Sequence, residues 1–213
     1  MRSIGVIGCL IGLVIVVLIF GGWYVGTRNH LVKLDEQVNA QWGQVQNDYQ
    51  RRYDLIPNLV NTVKGYAAHE RETFEAVTNA RARVGQVSVP PGPPGSATDI
   101  TTNPQAMAQY EQAQAGLGNA LSRLLVVVER YPELKANQNF LELQSQLEGT
   151  ENRIAVERKR YNDVARDYNT AIRQFPGSLA ASMGGFKPKA YFQVTNPAAN
   201  EAPKVDFGTT TSK

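Results

Sequence analysis

The chain has 213 residues, 42% of them hydrophobic and 19% charged, and its 22 basic and 19 acidic side chains leave a formal net charge of +3. The two signs are interspersed rather than sorted into blocks, so the basic balance reads as a solvated surface and argues against a nucleic-acid partner. The one cysteine, Cys9, excludes an intrachain disulfide and a cysteine-based metal centre.

Residues 1–3 are a short N-terminus, and from Ile4 to Gly26 no charged side chain occurs. A helix of about 20 apolar residues crosses a hydrocarbon core of about 30 Å, so residues 4–26 are predicted to be a single transmembrane helix. The run is longer than the roughly 7–15 apolar residues of a cleavable signal peptide. Trp23 and Tyr24 favour the headgroup level and Arg28 snorkels to it, which makes these three the interfacial anchors. Gly8 with Gly12, and Gly22 with Gly26, have the G-x-x-x-G spacing of helices that pack closely in a bilayer. Arg2 ahead of the apolar run resembles a signal anchor, which places the bulk of the chain on the extracytoplasmic side. Arg28 and Lys33 nearly balance it, so the cytoplasmic orientation stays open.

Residues 27–176 are predicted to form an antiparallel four-helix bundle, all-α, with coiled-coil-like stripes. In the first helix, 27–53, Leu31, Leu34, Val38, Trp42, Val45 and Tyr49 recur in steps of three and four. Pro57 marks either a turn between two helices or a kink in one long one; the turn, which gives segments of comparable length, is favoured and opens a second helix, 57–84, whose stripe runs from Ile56, Leu59, Val63 and Tyr66 to Phe74, Val77 and Val84. A Pro/Gly loop occupies 86–103. Asn103 and Pro104 then look like an N-cap and first turn for a third helix, 104–131, carrying Met107, Tyr110, Gln114, Leu117, Leu121, Leu124, Val128 and Tyr131. The fourth helix, 138–175, carries Phe140, Leu143, Leu147, Ile154, Tyr161, Val164, Tyr168, Ile172 and Phe175. Residues 177–213 read as an irregular, partly packed tail, with a short strand-like stretch at Ala190–Val194. Its Phe186, Tyr191, Phe192 and Phe207 are candidate contacts with the bundle or a neighbouring chain.

Several runs have a familiar wording: Leu34-Asp35-Glu36-Gln37-Val38, Gln50-Arg51-Arg52, Asp54-Leu55-Ile56-Pro57-Asn58-Leu59-Val60, and Tyr131-Pro132-Glu133-Leu134-Lys135-Ala136-Asn137. Glu151-Asn152-Arg153-Ile154-Ala155, Arg160-Tyr161-Asn162-Asp163, Gly185-Phe186 and Tyr191-Phe192 continue it. Together they resemble the LemA family of bacterial membrane-anchored proteins over about residues 30–194, with the loop at Pro90–Gly95 as a departure. The resemblance implies a helical bundle behind one membrane helix and brings no activity with it.

Groups for catalysis are sparse. His30 beside the membrane interface and His69 in the second helix lie far apart, and no P-loop, H-E-x-x-H, G-x-S-x-G or dinucleotide fingerprint occurs. No catalytic, cofactor or metal residue is therefore expected. Thr150, Glu157 and Asn169 fall on or near the fourth stripe, where hydrogen-bonded polar groups fix register; the alternative is a partner or ion site built on Glu157 with Arg153 or Arg160. The basic run Arg158-Lys159-Arg160, with Arg166 and Arg173, is threaded by Glu157, Asp163 and Asp167, which can pair with it. The expected function is a non-enzymatic scaffold or interaction protein at the bacterial envelope, contacting the lipid bilayer, further copies of itself and another envelope protein. The alternative is a sensory or regulatory module that signals through its anchor helix.

Overall fold

The computed structural model describes residues 2–87 and 99–193. The apolar run and the first amphipathic stripe are one helix, α1 (Arg2–Lys64), 63 residues or about 95 Å long. Along it the surroundings change without a break. Leu10 to Phe20 are exposed on every side, whereas Leu31, Val38, Trp42, Val45 and Tyr49 are buried on one. A helix apolar all round and covered by none of the other described residues has the length and composition to cross a membrane, so this segment fits a membrane anchor.

The turn expected at Pro57 is absent, and α1 runs through it to Lys64. A proline inside a helix strips the carbonyl four residues back of its donor. That carbonyl belongs to Tyr53, and the Arg81 Nε–H donates to it at 3.4 Å while the guanidinium lies 3.7 Å from the centroid of the Tyr53 ring. Ile56, Leu59, Val60 and Val63 are buried around the proline, so packing holds the helix on both sides of it. The chain turns instead at 65–70, and α2 spans Arg71–Val87 rather than 57–84. The single stripe read across Pro57 is thus divided, with Ile56 to Val63 on α1 and Phe74, Val77 and Val84 on α2.

A short 3-10 turn, Ile100–Thr102, leads into α3 (Pro104–Val128), which ends three residues short of Tyr131. The Asn103 side chain accepts from the N–H groups of Gln105 and Ala106, a cap with proline next to it. The expected plain connection at 132–137 contains a one-turn helix, α4 (Pro132–Lys135), whose Leu134 is fully buried. Next, α5 (Gln138–Arg173) opens with Asn137 accepting from the Phe140 N–H at 3.1 Å. The tail expected to be irregular holds a further helix, α6 (Gly177–Gly184). No strand occurs among the described residues, and Ala190–Gln193 run extended without a backbone ladder.

α1 packs along α5 and α2 along α3. The pairs Gln41–Glu157, Asp48–Arg153 and Arg52–Glu151 climb α1 while descending α5, so these two helices run in opposite directions. Two cores result. The upper one joins Ile56, Leu59 and Val63 to Phe74 and Val77, to Leu117, Leu121 and Leu124, and to Phe140 and Leu147. The lower one, nearer the anchor, joins Leu31 to Tyr49 with Met107 and Tyr110, Ile154 to Ile172, Ala180 and Ala181, and finally Ala190 and Phe192 of the C-terminal segment. Each buried Leu, Ile or Phe contributes about 1.5–3 kcal/mol over leaving it in water.

Candidate functional site: a polar seam that receives the C-terminal segment

Beyond α6 the chain reverses at Gly185, whose φ of +72° favours glycine, and runs back up the lower core as an extended segment. An extended segment inside a bundle has no strand ladder for its N–H and C=O groups; the Ala190 N–H donates to the Thr101 carbonyl at 2.6 Å, and side chains serve its neighbours. Four residues of α5 do so. The Asn169 Nδ2 donates to the Lys189 carbonyl at 2.8 Å and its Oδ1 accepts from the Lys189 N–H at 2.7 Å. Asn162 repeats this with both backbone groups of Phe192, at 2.9 Å each. The Tyr168 hydroxyl donates to the Lys187 carbonyl and the Tyr161 hydroxyl to the Ala190 carbonyl, both at 3.0 Å.

The repeat has a geometric cause. Seven residues of α-helix rise about 10.5 Å, and three residues of extended chain span about 10 Å. Two Tyr-Asn pairs seven apart on α5 therefore meet residues three apart on the segment, in the opposite direction.

Side chains of the segment fill two different pockets. Lys189 is 3% exposed, and its ammonium lies 2.9 Å from Asp35 Oδ1 of α1 and 3.6 Å from Asp99 Oδ2. It also donates to Thr101 Oγ1 at 3.1 Å and to Asn39 Oδ1 at 3.4 Å. Asp99 is itself steadied by the backbone N–H and hydroxyl of Thr101, at 2.9 and 2.6 Å. The Phe192 ring stacks on Trp42 with centroids 5.7 Å apart and meets Tyr161 edge-on at 5.3 Å, while the Arg158 guanidinium covers it at 4.7 Å. At the upper end Glu111 accepts from Arg158 at 2.6 Å and from the Gln193 N–H at 3.0 Å. Burial pushes the Glu111 carboxyl upward, and Arg158 and the Gln193 N–H pull it partly back.

A second polar node lies above the seam. The buried Arg52 pairs with Glu151 at 2.8 Å and donates to the side chain and carbonyl of Gln114, although its Nε has no partner. Trp42 Nε1 is likewise buried and unpaired.

Burial raises the phenol of Tyr49, against the pull of Arg158 and Arg52, and drives those of Tyr110, Tyr161 and Tyr168 well above their ordinary range; Asp99 adds to the effect at Tyr161, and Asp35 at Tyr168. Tyr161 and Tyr168 are donors rather than proton carriers. Lys189, ringed by acceptors, acts as a buried charge. The seam can hold an extended peptide by its main chain, select a lysine and an aromatic three residues later, and lock a bundle.

Of the residues singled out in the sequence, Phe192 is buried in the seam, Phe186 packs partly on the lower core and Tyr191 faces outward. Phe207 lies outside the described residues, as do the surroundings of Gly8. Among the described residues, nothing beyond the helix's own adjoining turns stands within 4 Å of where a Cβ would be at Gly12, Gly22 or Gly26. Trp23 is half-buried and stacks near Phe20 at 5.2 Å, Tyr24 packs partly against the lower core, and Arg28 is exposed. His30 and His69 are both exposed and apart, and no metal-holding group of His, Cys, Asp or Glu forms among the described residues. Thr150 donates to the Gln146 carbonyl; Glu157 accepts from Gln41 and Arg160, while Arg153 pairs with Asp48. Lys189, Asn162, Asp35 and Asp99 carry the seam without having been singled out. The one visible signal was the doubled Tyr-Asn at a spacing of seven, Tyr161-Asn162 and Tyr168-Asn169.

The fold and the seam define a class: a helical-bundle protein whose leading helix fits a membrane anchor and whose C-terminal segment is bound back as an internal peptide. The chain belongs to the LemA family, whose profile matches residues 41–207, as the wording of its sequence runs implied. It is 31% identical over 175 residues to magnetosome protein MamQ 2 of Paramagnetospirillum magneticum, an alignment covering 78% of this chain. MamQ of Magnetospirillum gryphiswaldense is 30% identical over 77% of this chain. The chain spans 64% of the length of each of these relatives. Protein LemA of Metamycoplasma hominis is 24% identical over 87% of this chain and 75% of its own.

Proposed function

We propose that the protein is a non-enzymatic scaffold, fixed to a bacterial membrane by residues 4–26, that assembles with further copies of itself and presents its bundle to another envelope protein. The observation that carries this is the unbroken passage of α1 from apolar span to bundle core. A scaffold has to hold its docking faces at a set height and orientation over the bilayer, and one continuous helix does that without a hinge. The uncovered glycines Gly12, Gly22 and Gly26 offer copies of the span a close approach. The relatives' names state no reaction, in keeping with a structural role. Light scattering on the detergent-solubilised full chain should give a protein mass several times that of one chain, and Gly12→Leu with Gly22→Leu should reduce it. A strictly monomeric mass at micromolar concentration would remove self-assembly from the proposal.

The same continuity favours a second reading, a sensory or regulatory module that passes a signal through the anchor. Coupling of that kind needs two discrete arrangements of the bundle. Spin-label distances between Gln44 on α1 and Arg166 on α5 should then split into two populations in native membranes. A single narrow distribution under all conditions leaves the scaffold alone.

A further inference from the structure

Helix α6 has an unusual composition for a surface element: Gly-Ser-Leu-Ala-Ala-Ser-Met-Gly, with no charged residue. One face, Gly177, Ala180 and Ala181, is buried on the lower core. Gly177 is there because a Cβ would stand 2.1 Å from the Ala171 carbonyl oxygen. The opposite face carries Leu179 and Met183, 40% and 59% exposed, and Phe175 one turn before them is 82% exposed. Helices apolar on both faces are found where neither face meets water.

Position supplies the second environment. Gly177 at the start of α6 lies against Leu31 of α1, and Gly184 and Gly185 at its end share a hollow whose α1 wall runs from Arg28 and Val32 to Asp35 and Glu36. Both ends therefore meet the same stretch of α1. That stretch begins about 3 Å above Gly26, where the apolar span ends, and reaches about 15 Å above it, at 1.5 Å per residue. Tyr24, inside the span, packs partly against the core that α6 closes. The core takes up the buried face of α6 and leaves Leu179 and Met183 exposed at the end of the bundle nearest the span.

The geometry points to α6 as an interfacial helix: Phe175, Leu179 and Met183 enter the headgroup–acyl boundary of the same bilayer that residues 4–26 cross. The occupant of this apolar face is lipid, and the bundle rests on the membrane through it rather than standing clear on the anchor alone. The inference rests on the anchor reading of the proposed function. The hollow beside the turn carries Arg28 and Lys187 together with Asp35 and Glu36 farther along α1, and Arg28 is the basic group nearest the end of the span.

The test separates the two readings. Single nitroxide labels replace Leu18, Met183 or Val126 (as Leu18→Cys, Met183→Cys, Val126→Cys) in a Cys9→Ser chain reconstituted into phosphatidylcholine–phosphatidylglycerol vesicles. Collision with lipid-soluble oxygen and with a water-soluble nickel complex is then measured. The expected result is an oxygen-to-nickel ratio highest at position 18, above one at 183 and below one at 126, which lies at the far end of the bundle. A ratio at 183 as low as at 126, with 18 still high, overturns the interfacial helix and leaves the anchor standing. A low ratio at 18 overturns the anchor and this inference with it. A second measurement changes the apolar face itself: Phe175→Gln with Leu179→Gln should weaken oxygen collision of a label at Ser182 while helix content by circular dichroism is retained; unchanged collision counts against lipid contact.

Discussion

At the scale of single residues, the buried ammonium of Lys189 is the most consequential group in the lower half of the molecule. It faces two carboxylates, Asp35 and Asp99, that are themselves buried. Removing one partner of such a set leaves uncompensated charge in a low-dielectric site, which costs about 3–5 kcal/mol. Lys189→Met is expected to lower stability by that amount in urea unfolding, and Asp35→Asn with Asp99→Asn in the same chain to restore most of it. If the triple variant is no more stable than Lys189→Met, the loss comes from packing and not from charge. The buried phenols give a pH prediction. A phenol whose folded value lies above its unfolded value of about 10 stabilises the fold fully below that pH and loses the contribution as pH rises beyond it. Tyr161 and Tyr168 must also stay protonated to donate to the segment. Alkaline titration at 295 nm should show the phenols of Tyr49, Tyr110, Tyr161 and Tyr168 ionising in one late step together with loss of helix signal. A smooth titration complete before any loss of helix would contradict the burial.

These residues also mark how far the sequence could be read. Phe192 stood out because four aromatics have little use in a solvated tail, and Asn169 because it interrupts an apolar stripe. Lys189 did not stand out, since a lysine flanked by Lys187 and Pro188 looks like solvated tail. Its meaning depends on Asp35 and Asp99, one 154 and the other 90 residues away, and no local pattern joins them. Asn162 was visible only as part of a family word.

At the scale of elements, periodicity located the helical stripes, and the breaks between them were read less well. Pro57 is the instructive case. A proline reports a lost donor, and whether the helix stops depends on whether another donor reaches the stranded carbonyl. Arg81, 28 residues from Tyr53 in the chain, supplies it from the next helix. Gly65 and the eight-residue gap from Tyr66 to Phe74 were the weaker but correct sign of the turn. A double-mutant cycle tests this account. Arg81→Leu should cost about 1–2 kcal/mol in the native chain, because a partly buried carbonyl is left unserved. In a Pro57→Ala chain, where the restored amide can reach that carbonyl, the same substitution should cost markedly less. Equal costs in both chains would mean that Arg81 acts only through its stacking on Tyr53.

At the scale of the whole molecule, the two cores have different lids. The upper core is closed by α2 through Phe74, Val77 and Val84, and the lower core by the C-terminal segment through Ala190 and Phe192. They should therefore come apart separately, since local opening follows the units that share contacts. A chain ending at Gly185 should lose hydrogen-exchange protection over 31–49, 104–111 and 154–172 while keeping it over 56–63 and 117–128. The effect of Lys189→Met is bounded by the same event. If leaving Asp35 and Asp99 buried without a cation costs more than the seam's hold on the segment, the segment leaves, water reaches both carboxylates, and the penalty stops at the cost of release. The exchange pattern of Lys189→Met should then coincide with that of the shortened chain, opened at the lower core and closed at the upper. Uniform deprotection of both cores in either variant would show that the bundle opens as one unit and that the segment is not the lid of the lower half.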